Sequence, residues 1–126
     1  MFMNDKTILI VEDEPSVINS LTDKLSIAGY STITAENGEI ALVKALDEKP
    51  DLILLDLILP KVDGLTFLKK LRENPWGKYA KVIILTNLSD SEKIEEAQSR
   101  NVFDYLIKTD WSLDDVLNKV NEYLSS

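Results

Sequence analysis

Short apolar runs alternate along the chain with longer segments in which apolar residues recur every three or four positions. Three of the runs, residues 6–11, 52–55 and 82–85, are almost continuously apolar. This pattern is typical of strands that are buried on both faces of a parallel sheet. Two other runs, residues 31–35 and 103–107, carry polar or charged positions. We therefore expect five strands, with these last two at the edges of the sheet.

The segments between and after the strands predict five helices. The residues that mark helix ends are Pro15 and Gly29 for the first helix, Asn37 and Gly38 for the second, Asp63 for the third, and Ser112 with Asp115, as a capping box, for the fifth. The fourth helix, about residues 91–100, has only Ile94 and Ala97 as clear apolar positions, so we expect it to be weakly held.

Strict alternation of strands and helices indicates an α/β fold with a parallel sheet, right-handed crossovers and helices on both faces. With the two polar strands at the edges, the strand order is that of a flavodoxin-like, doubly wound sheet, 2-1-3-4-5. No repeat, linker or low-complexity tract interrupts the pattern. We expect residues 1–126 to form one domain, with its core between residues 6 and 124.

Composition narrows the possible chemistry. The 126 residues include no Cys and no His, which excludes disulfides, thiolate nucleophiles, Cys/His zinc sites and histidine-based triads. The net charge of −8 argues against nucleic acid or an anionic membrane as a direct partner. Neither a signal peptide nor an apolar run of membrane-spanning length is present, so we expect a soluble, cytoplasmic domain.

Functional side chains follow four of the five predicted strands. Glu12 and Asp13 follow the first strand, Asp56 the third, Thr86 the fourth and Lys108 the fifth. Ligands of open α/β sheets bind at the carboxyl ends of the strands, so these five residues are expected to converge. Crowded carboxylates repel one another unless a cation joins them, and oxygen ligands alone favour Mg²⁺, with Mn²⁺ as an acceptable substitute.

These residues stand in motifs that resemble the receiver domain of two-component response regulators, over nearly the whole chain. The motifs, in chain order, are Val11-Glu12-Asp13-Glu14-Pro15, Leu54-Leu55-Asp56-Leu57-Ile58-Leu59-Pro60 with Asp63-Gly64, Leu85-Thr86, and Tyr105-Leu106-Ile107-Lys108. The resemblance implies that Asp56 is the phosphoacceptor, which receives a phosphoryl group from a histidine kinase or a phosphotransfer protein. It also implies that Asp13, Asp56 and the backbone carbonyl of Ile58 bind Mg²⁺, and that Glu12 acts directly or through water.

The same resemblance assigns roles to three further residues. Lys108 would pair with Asp56 before transfer and with a phosphoryl oxygen afterwards, and Thr86 would donate a hydrogen bond to another phosphoryl oxygen. Tyr105 would then turn inward, so that the surface made by the fourth helix, fifth strand and fifth helix changes and binds a downstream protein. Asp56, Lys108 and Thr86 would therefore carry the chemistry. The domain would catalyse only its own phosphorylation and slow dephosphorylation, and we expect a switch rather than an enzyme.

Four positions depart from the family pattern or tune it. Thr109 follows Lys108 where most receivers have a proline, and we expect a trans bond between them. Asn87 stands where a small residue is usual, either as an exposed loop residue or as a group that narrows access to the phosphorylated site. Ile58 and Leu88 are apolar and cannot orient a hydrolytic water, so we expect slow loss of the phosphoryl group.

For one tryptophan and for one basic cluster on the third helix, we expect a structural role rather than a part in binding or chemistry. We expect Trp76 to anchor the loop over the third helix, and the cluster Lys69, Lys70 and Arg72 to form a solvated helix face.

One alternative function remains open at this stage, and two others are disfavoured by the sequence. A docking module with the receiver fold but little phosphorylation is the alternative, motivated by Thr109 and Asn87. A phosphohydrolase is disfavoured, because such enzymes usually carry a second Asp where Ile58 stands. A flavodoxin is also disfavoured, because the acidic loop that begins at Glu12 would repel a phosphate unless a metal intervened. We expect a monomer, or a weak dimer that forms on phosphorylation.

Overall fold

The computed structural model describes residues 6–57, 59, 61–86, 91–99, 104–107 and 112–124, of which residues 86, 91–94 and 104–107 are described by their backbone alone. The strands are β1 (Thr7–Val11), β2 (Ser31–Ala35), β3 (Leu52–Leu55), β4 (Val82–Thr86) and β5 (Asp104–Ile107). The helices are α1 (Pro15–Ile27), α2 (Gly38–Glu48), α3 (Gly64–Glu73), α4 (Ser91–Gln98) and α5 (Leu113–Leu124), with a 3-10 turn at Gly77–Tyr79.

The five strands form one parallel sheet in the order β2-β1-β3-β4-β5, as the sequence predicts. The polar strands β2 and β5 are the edge strands. Alternate residues of the central strands contribute to two separate cores, because successive side chains of a strand point to opposite faces. One core contains Leu9, Ile53 and Phe67 with side chains from α2 and α3; the other contains Ile8, Leu54 and side chains from α1 and α5.

The predicted helix-end signals operate through direct hydrogen bonds. The side chain of Asn37 accepts the Ile40 N–H at 2.9 Å, and that of Asp63 accepts the Thr66 N–H at 2.9 Å. At the start of α5 the bonds are reciprocal. Asp115 accepts the Ser112 N–H at 2.8 Å, and the Asp115 N–H donates to the Ser112 hydroxyl at 3.2 Å. Asp therefore completes the capping box here in place of the usual Glu.

One structural prediction is wrong in part. Lys69 and Lys70 are exposed, but Arg72 is half-buried and does not belong to a solvated face. Its guanidinium donates to the carbonyls of Gly77 at 2.6 Å and Ala80 at 2.8 Å, and burial lowers the pKa of Arg72. Arg72 therefore holds the turn between α3 and β4.

Trp76 lies in that same turn and packs against the core beneath α3, which confirms its interpretation as a loop anchor. Helix α4 ends at Gln98, two residues earlier than predicted. Among its described side chains only Ala97 is buried. The expected weak attachment and movement of this helix remain a prediction.

Candidate functional site

Backbone register places the first and third strands' acidic residues side by side. Val11 pairs with Leu55 in the β1–β3 ladder, so Glu12 and Asp56 are the next residue on each strand. The ladder continues into the site, because the Asp56 N–H donates to the Val11 carbonyl at 3.0 Å. On the other side, the Glu12 N–H donates to the Ala35 carbonyl at 3.0 Å. The site is thus an extension of the sheet rather than a loop laid over it.

Three carboxylates converge at this point. One carboxylate oxygen from each of Glu12, Asp13 and Asp56 lies within 4.8 Å of the others. Glu12 is 2% exposed and Asp56 is 6% exposed, whereas Asp13 is exposed to solvent. Two buried carboxylates with an exposed third form a cluster that is open on one side, a suitable set of oxygen donors for a hard divalent cation.

Glu12 has a second task that the sequence did not indicate. Its Oε2 atom accepts the backbone N–H groups of Asp13 and Glu14, each at 3.1 Å. These N–H groups lie just before α1, where Glu14 is the N-cap and makes no side-chain capping bond. Glu12 therefore shapes the turn that presents Asp13, in addition to contributing a charge to the cluster.

The loop after Asp56 is anchored by apolar side chains. Leu57 and Leu59 are 3% and 8% exposed and belong to the core beneath α2 and α3. Apolar residues stand at positions 57 and 59, after the buried acid, because their side chains pack into the core.

Gly64, the first residue of α3, packs directly against this loop. Its N–H donates to the Leu57 carbonyl at 3.0 Å. A Cβ atom at this position would stand 2.5 Å from the Asp56 carbonyl oxygen and 2.5 Å from the Leu57 Cα. Gly64 is therefore a positioning residue for Asp56. The sequence signal was its place in the Asp63-Gly64 pair, but the close backbone contact could not be derived from that pair.

Of the remaining predicted site residues, the structure describes only a part. Register pairs Leu55 with Ile84 and Thr86 with Ile107, so the backbone of Thr86 reaches the same edge of the sheet as Asp56. Further positions lie outside the described residues, and the roles expected of them stay predictions. These are the side chains of Thr86 and Tyr105, and Ile58, Asn87, Leu88, Lys108 and Thr109.

Comparison with known proteins identifies the family. The family model of the response regulator receiver domain matches residues 8–121. The chain belongs to this family. Its domain is therefore a receiver domain of the kind found in two-component signal transduction, and both the predicted resemblance and the fold class are confirmed.

Two curated relatives illustrate the range of proteins that contain such a domain. The chain is 39% identical over 115 residues to the alkaline phosphatase synthesis transcriptional regulatory protein PhoP of Bacillus subtilis, covering 91% of this chain and 42% of that protein. It is 34% identical over 125 residues to sporulation initiation phosphotransferase F of the same organism, covering 97% of this chain and 95% of that protein. The chain thus spans less than half of some relatives and nearly all of another.

A solved structure gives a comparison at the site. The receiver domain of a sensor histidine kinase from Pseudomonas aeruginosa PAO1 has a magnesium ion coordinated in its active-site cleft. It is 25% identical to this chain and superposes with a TM-score of 0.87. The match covers 98% of this chain and 100% of that domain.

Among the described residues of our chain, no helix has the length and apolar character that a membrane span requires.

Proposed function

We propose that the chain is a phosphorylation-dependent signalling switch that takes up a phosphoryl group on Asp56 in the presence of Mg²⁺. The observation that carries the proposal is the approach of the Glu12, Asp13 and Asp56 carboxylates to within 4.8 Å of one another. Membership of the receiver family supports the proposal. The position of the cluster supports it too, because the sheet order brings the carboxyl ends of β1 and β3 together there.

The donor set fits a hard cation. In the proposal, Asp13, Asp56 and the backbone carbonyl of Ile58 bind Mg²⁺, and Glu12 acts directly or through water. Mg²⁺ commonly binds one or two carboxylates and keeps several waters, so an open acidic cluster suits it, and Mn²⁺ is an acceptable substitute. The bound ion would supply neutralising charge for the phosphoryl oxygens.

The transfer step uses groups of this chain for attack and positioning. A carboxylate oxygen of Asp56 attacks the phosphorus of a phosphohistidine on a histidine kinase or phosphotransfer protein. An O–P bond forms, the N–P bond breaks, and the imidazole leaves with the electron pair. Lys108 and Thr86 then hold phosphoryl oxygens, which is the positioning and charge neutralisation that phosphoryl transfer needs. Hydrolysis of the phosphorylated Asp56 is slow, because the apolar side chains of Ile58 and Leu88 cannot orient a water for attack.

The output is a change in protein binding rather than turnover of an external substrate. Phosphoryl uptake at Asp56 draws Thr86 towards the site, and Tyr105 fills the space that it vacates. The surface of α4, β5 and α5 then changes and binds a downstream protein, as expected of a two-state element. The domain is therefore a switch that catalyses only its own phosphorylation and dephosphorylation.

Intact-mass spectrometry after incubation with acetyl phosphate and Mg²⁺ tests the acceptor. The native chain should gain roughly 80 Da, the mass of one phosphoryl group, and Asp56→Asn should not. Asp23→Asn is the matched control, because it removes an exposed carboxylate on α1 and should leave uptake unchanged. Equal uptake by Asp56→Asn, or none by the native chain from either acetyl phosphate or a phosphohistidine protein, would contradict the proposal.

Removal of the metal tests the cluster. Mg²⁺ should raise the melting temperature of the native chain above its value in EDTA, since a ligand that binds only the folded state stabilises it. Asp13→Asn should have a higher melting temperature than the native chain in EDTA, because one repelling charge is gone, and a smaller gain from Mg²⁺. An unchanged gain in Asp13→Asn would remove Asp13 from the metal site.

A further inference from the structure

The outer edge of β2 exposes backbone hydrogen-bonding groups. Among the described residues, β2 has a neighbour on one side only, and the Ser31 N–H donates to the Lys6 carbonyl on that side at 3.0 Å. Alternate residues of a strand direct their main-chain groups to opposite sides. The N–H and C=O groups of Thr32 and Thr34 therefore point away from β1, towards the free edge.

Such an edge is a template for another strand. Three consecutive β-branched residues, Thr32, Ile33 and Thr34, give β2 a high propensity for pairing. Apolar surface lies close by on α2, where the exposed fractions of Ile40 and Val43 are 39% and 58%. An edge strand with free main-chain groups and adjacent apolar side chains favours edge-to-edge association.

Lys44 already occupies this edge. Its ammonium donates to the Thr34 carbonyl at 2.6 Å, across ten positions of sequence and between two different elements. The side chain is half-buried, so its stem lies along the protein surface and only its head reaches the edge. The contact fills one outward-facing acceptor and places a positive charge where an incoming strand would have to lie.

We propose that Lys44 guards the free edge of β2 against strand addition by a second copy of this chain. The second copy is the occupant that the edge fits best. Two β2 strands related by a two-fold axis run antiparallel, so each presents the main-chain groups of Thr32 and Thr34 to the other. The same axis brings two copies of the apolar α2 surface near the junction. Phosphoryl transfer has no part in this role.

Replacement of Lys44 tests the guard. Lys44→Met keeps an unbranched stem but removes the donor and the charge, and we expect a dimer whose dissociation constant is at least about ten-fold below that of the native chain. Lys44→Ser, a small polar variant, should behave in the same way and covers the case in which the methionine variant does not fold. Sedimentation equilibrium over a wide concentration range measures both, with circular dichroism as the check of folding.

Three further variants separate edge pairing from general stickiness. Lys70→Met makes the same change at an exposed α3 position and should associate no more strongly than the native chain. Lys44→Arg keeps a charged donor and should stay as weakly associated as the native chain. Thr34→Pro in the Lys44→Met background removes an outward N–H without breaking the β1–β2 ladder, and it should restore the native behaviour.

Each result bears on the proposal. Folded Lys44→Met and Lys44→Ser that associate no more strongly than the native chain at millimolar concentration would overturn it. So would a dimer that survives Thr34→Pro, because it would form by another surface. Association of Lys70→Met to the same extent would trace the effect to exposed methionine rather than to the edge.

Discussion

The carbonyl oxygen of Asp56 lies 2.5 Å from the point at which a Cβ atom on Gly64 would stand. Real Cβ atoms do not approach backbone oxygens so closely, so any side chain at position 64 must displace the backbone that carries the proposed phosphoacceptor. The tight start of α3 is thus mechanically coupled to the position of Asp56.

Gly64→Ala should slow phosphoryl uptake by about ten-fold or more, because a displacement of even an ångström is costly for a transfer step that depends on positioning. It should also destabilise the fold by about 1–3 kcal/mol through overpacking. The rate is measured by intact mass against time with acetyl phosphate, and the stability by urea unfolding.

Gly29→Ala is the control for that experiment. Gly29 has φ 99° just after α1, so alanine is strained there. The residue precedes β2 at the amino ends of the strands, whereas the acidic cluster lies at the carboxyl ends. Gly29→Ala should lose stability and keep the uptake rate. An equal loss of rate in both variants would attribute the Gly64 effect to stability alone.

Two substitutions of Glu12 should separate its two tasks. Glu12→Gln keeps an acceptor for the Asp13 and Glu14 N–H groups but loses the charge. The free energy of Mg²⁺ binding should therefore fall by more than the free energy of unfolding does. Glu12→Ala loses both and should cost about 1–2 kcal/mol more stability than the glutamine variant, because the Asp13 and Glu14 N–H groups lose their acceptor. Calorimetric titration measures the affinity for Mg²⁺, and urea unfolding measures the stability. Equal stabilities of the two variants would argue against the role of Glu12 in shaping the turn.

Arg72→Leu should destabilise the fold by about 2–5 kcal/mol. It removes two charge-assisted hydrogen bonds and leaves the carbonyls of Gly77 and Ala80 without that donor. Lys70→Leu on the same helix should change stability by less than about 0.5 kcal/mol, because its side chain is exposed. Urea unfolding checks both, and a similar small effect for Arg72 would mean that the turn holds without it.

Tyr30 should make stability depend on alkaline pH. Its hydroxyl donates to the Asn121 side chain at 2.5 Å, and burial raises the pKa of Tyr30 above its usual value. Burial penalises the ionised phenolate in the folded state. The contribution of Tyr30 is therefore fully present below about pH 10, the ordinary tyrosine pKa, and is lost as the pH rises through the folded-state pKa.

The comparison with Tyr30→Phe isolates that effect. The difference in unfolding free energy between the native chain and Tyr30→Phe should be constant below about pH 10 and should shrink above it. Tyr79→Phe, at a tyrosine that is 77% exposed, provides the reference for general alkaline destabilisation. A difference that grows at high pH would contradict the expected sign.

Local rules were sufficient to predict much of this molecule. The continuous apolar runs fix the central strands, and Asn37, Asp63 and Ser112 mark helix ends because a side-chain acceptor meets a free N–H a few residues away. The carboxyl edge of a parallel sheet then gathers Glu12 and Asp56 without any further information. These inferences depend on spacing alone.

Other features depend on contacts between elements. Helix periodicity predicts a solvated face for Arg72, because it contains no information about the Gly77 and Ala80 carbonyls in the following turn. The contact of Lys44 with the Thr34 carbonyl could not be predicted for the same reason, since its prediction requires knowledge of how α2 lies against β2. Long cationic side chains are the residues for which exposure is hardest to infer from a pattern, because their heads reach acceptors far from their own backbone.

The hydrogen bond from the Asp56 N–H to the Val11 carbonyl extends the central β1–β3 ladder into the site. Segments held only by surface contacts open and close many times while the core stays intact, whereas backbone joined directly to core strands opens less often. The backbone that carries the acidic pair at the ends of β1 and β3 should therefore open less often than a surface loop. In the proposed function, a phosphoryl donor therefore meets a preformed acceptor, and what phosphorylation changes is the surrounding surface rather than the position of Asp56.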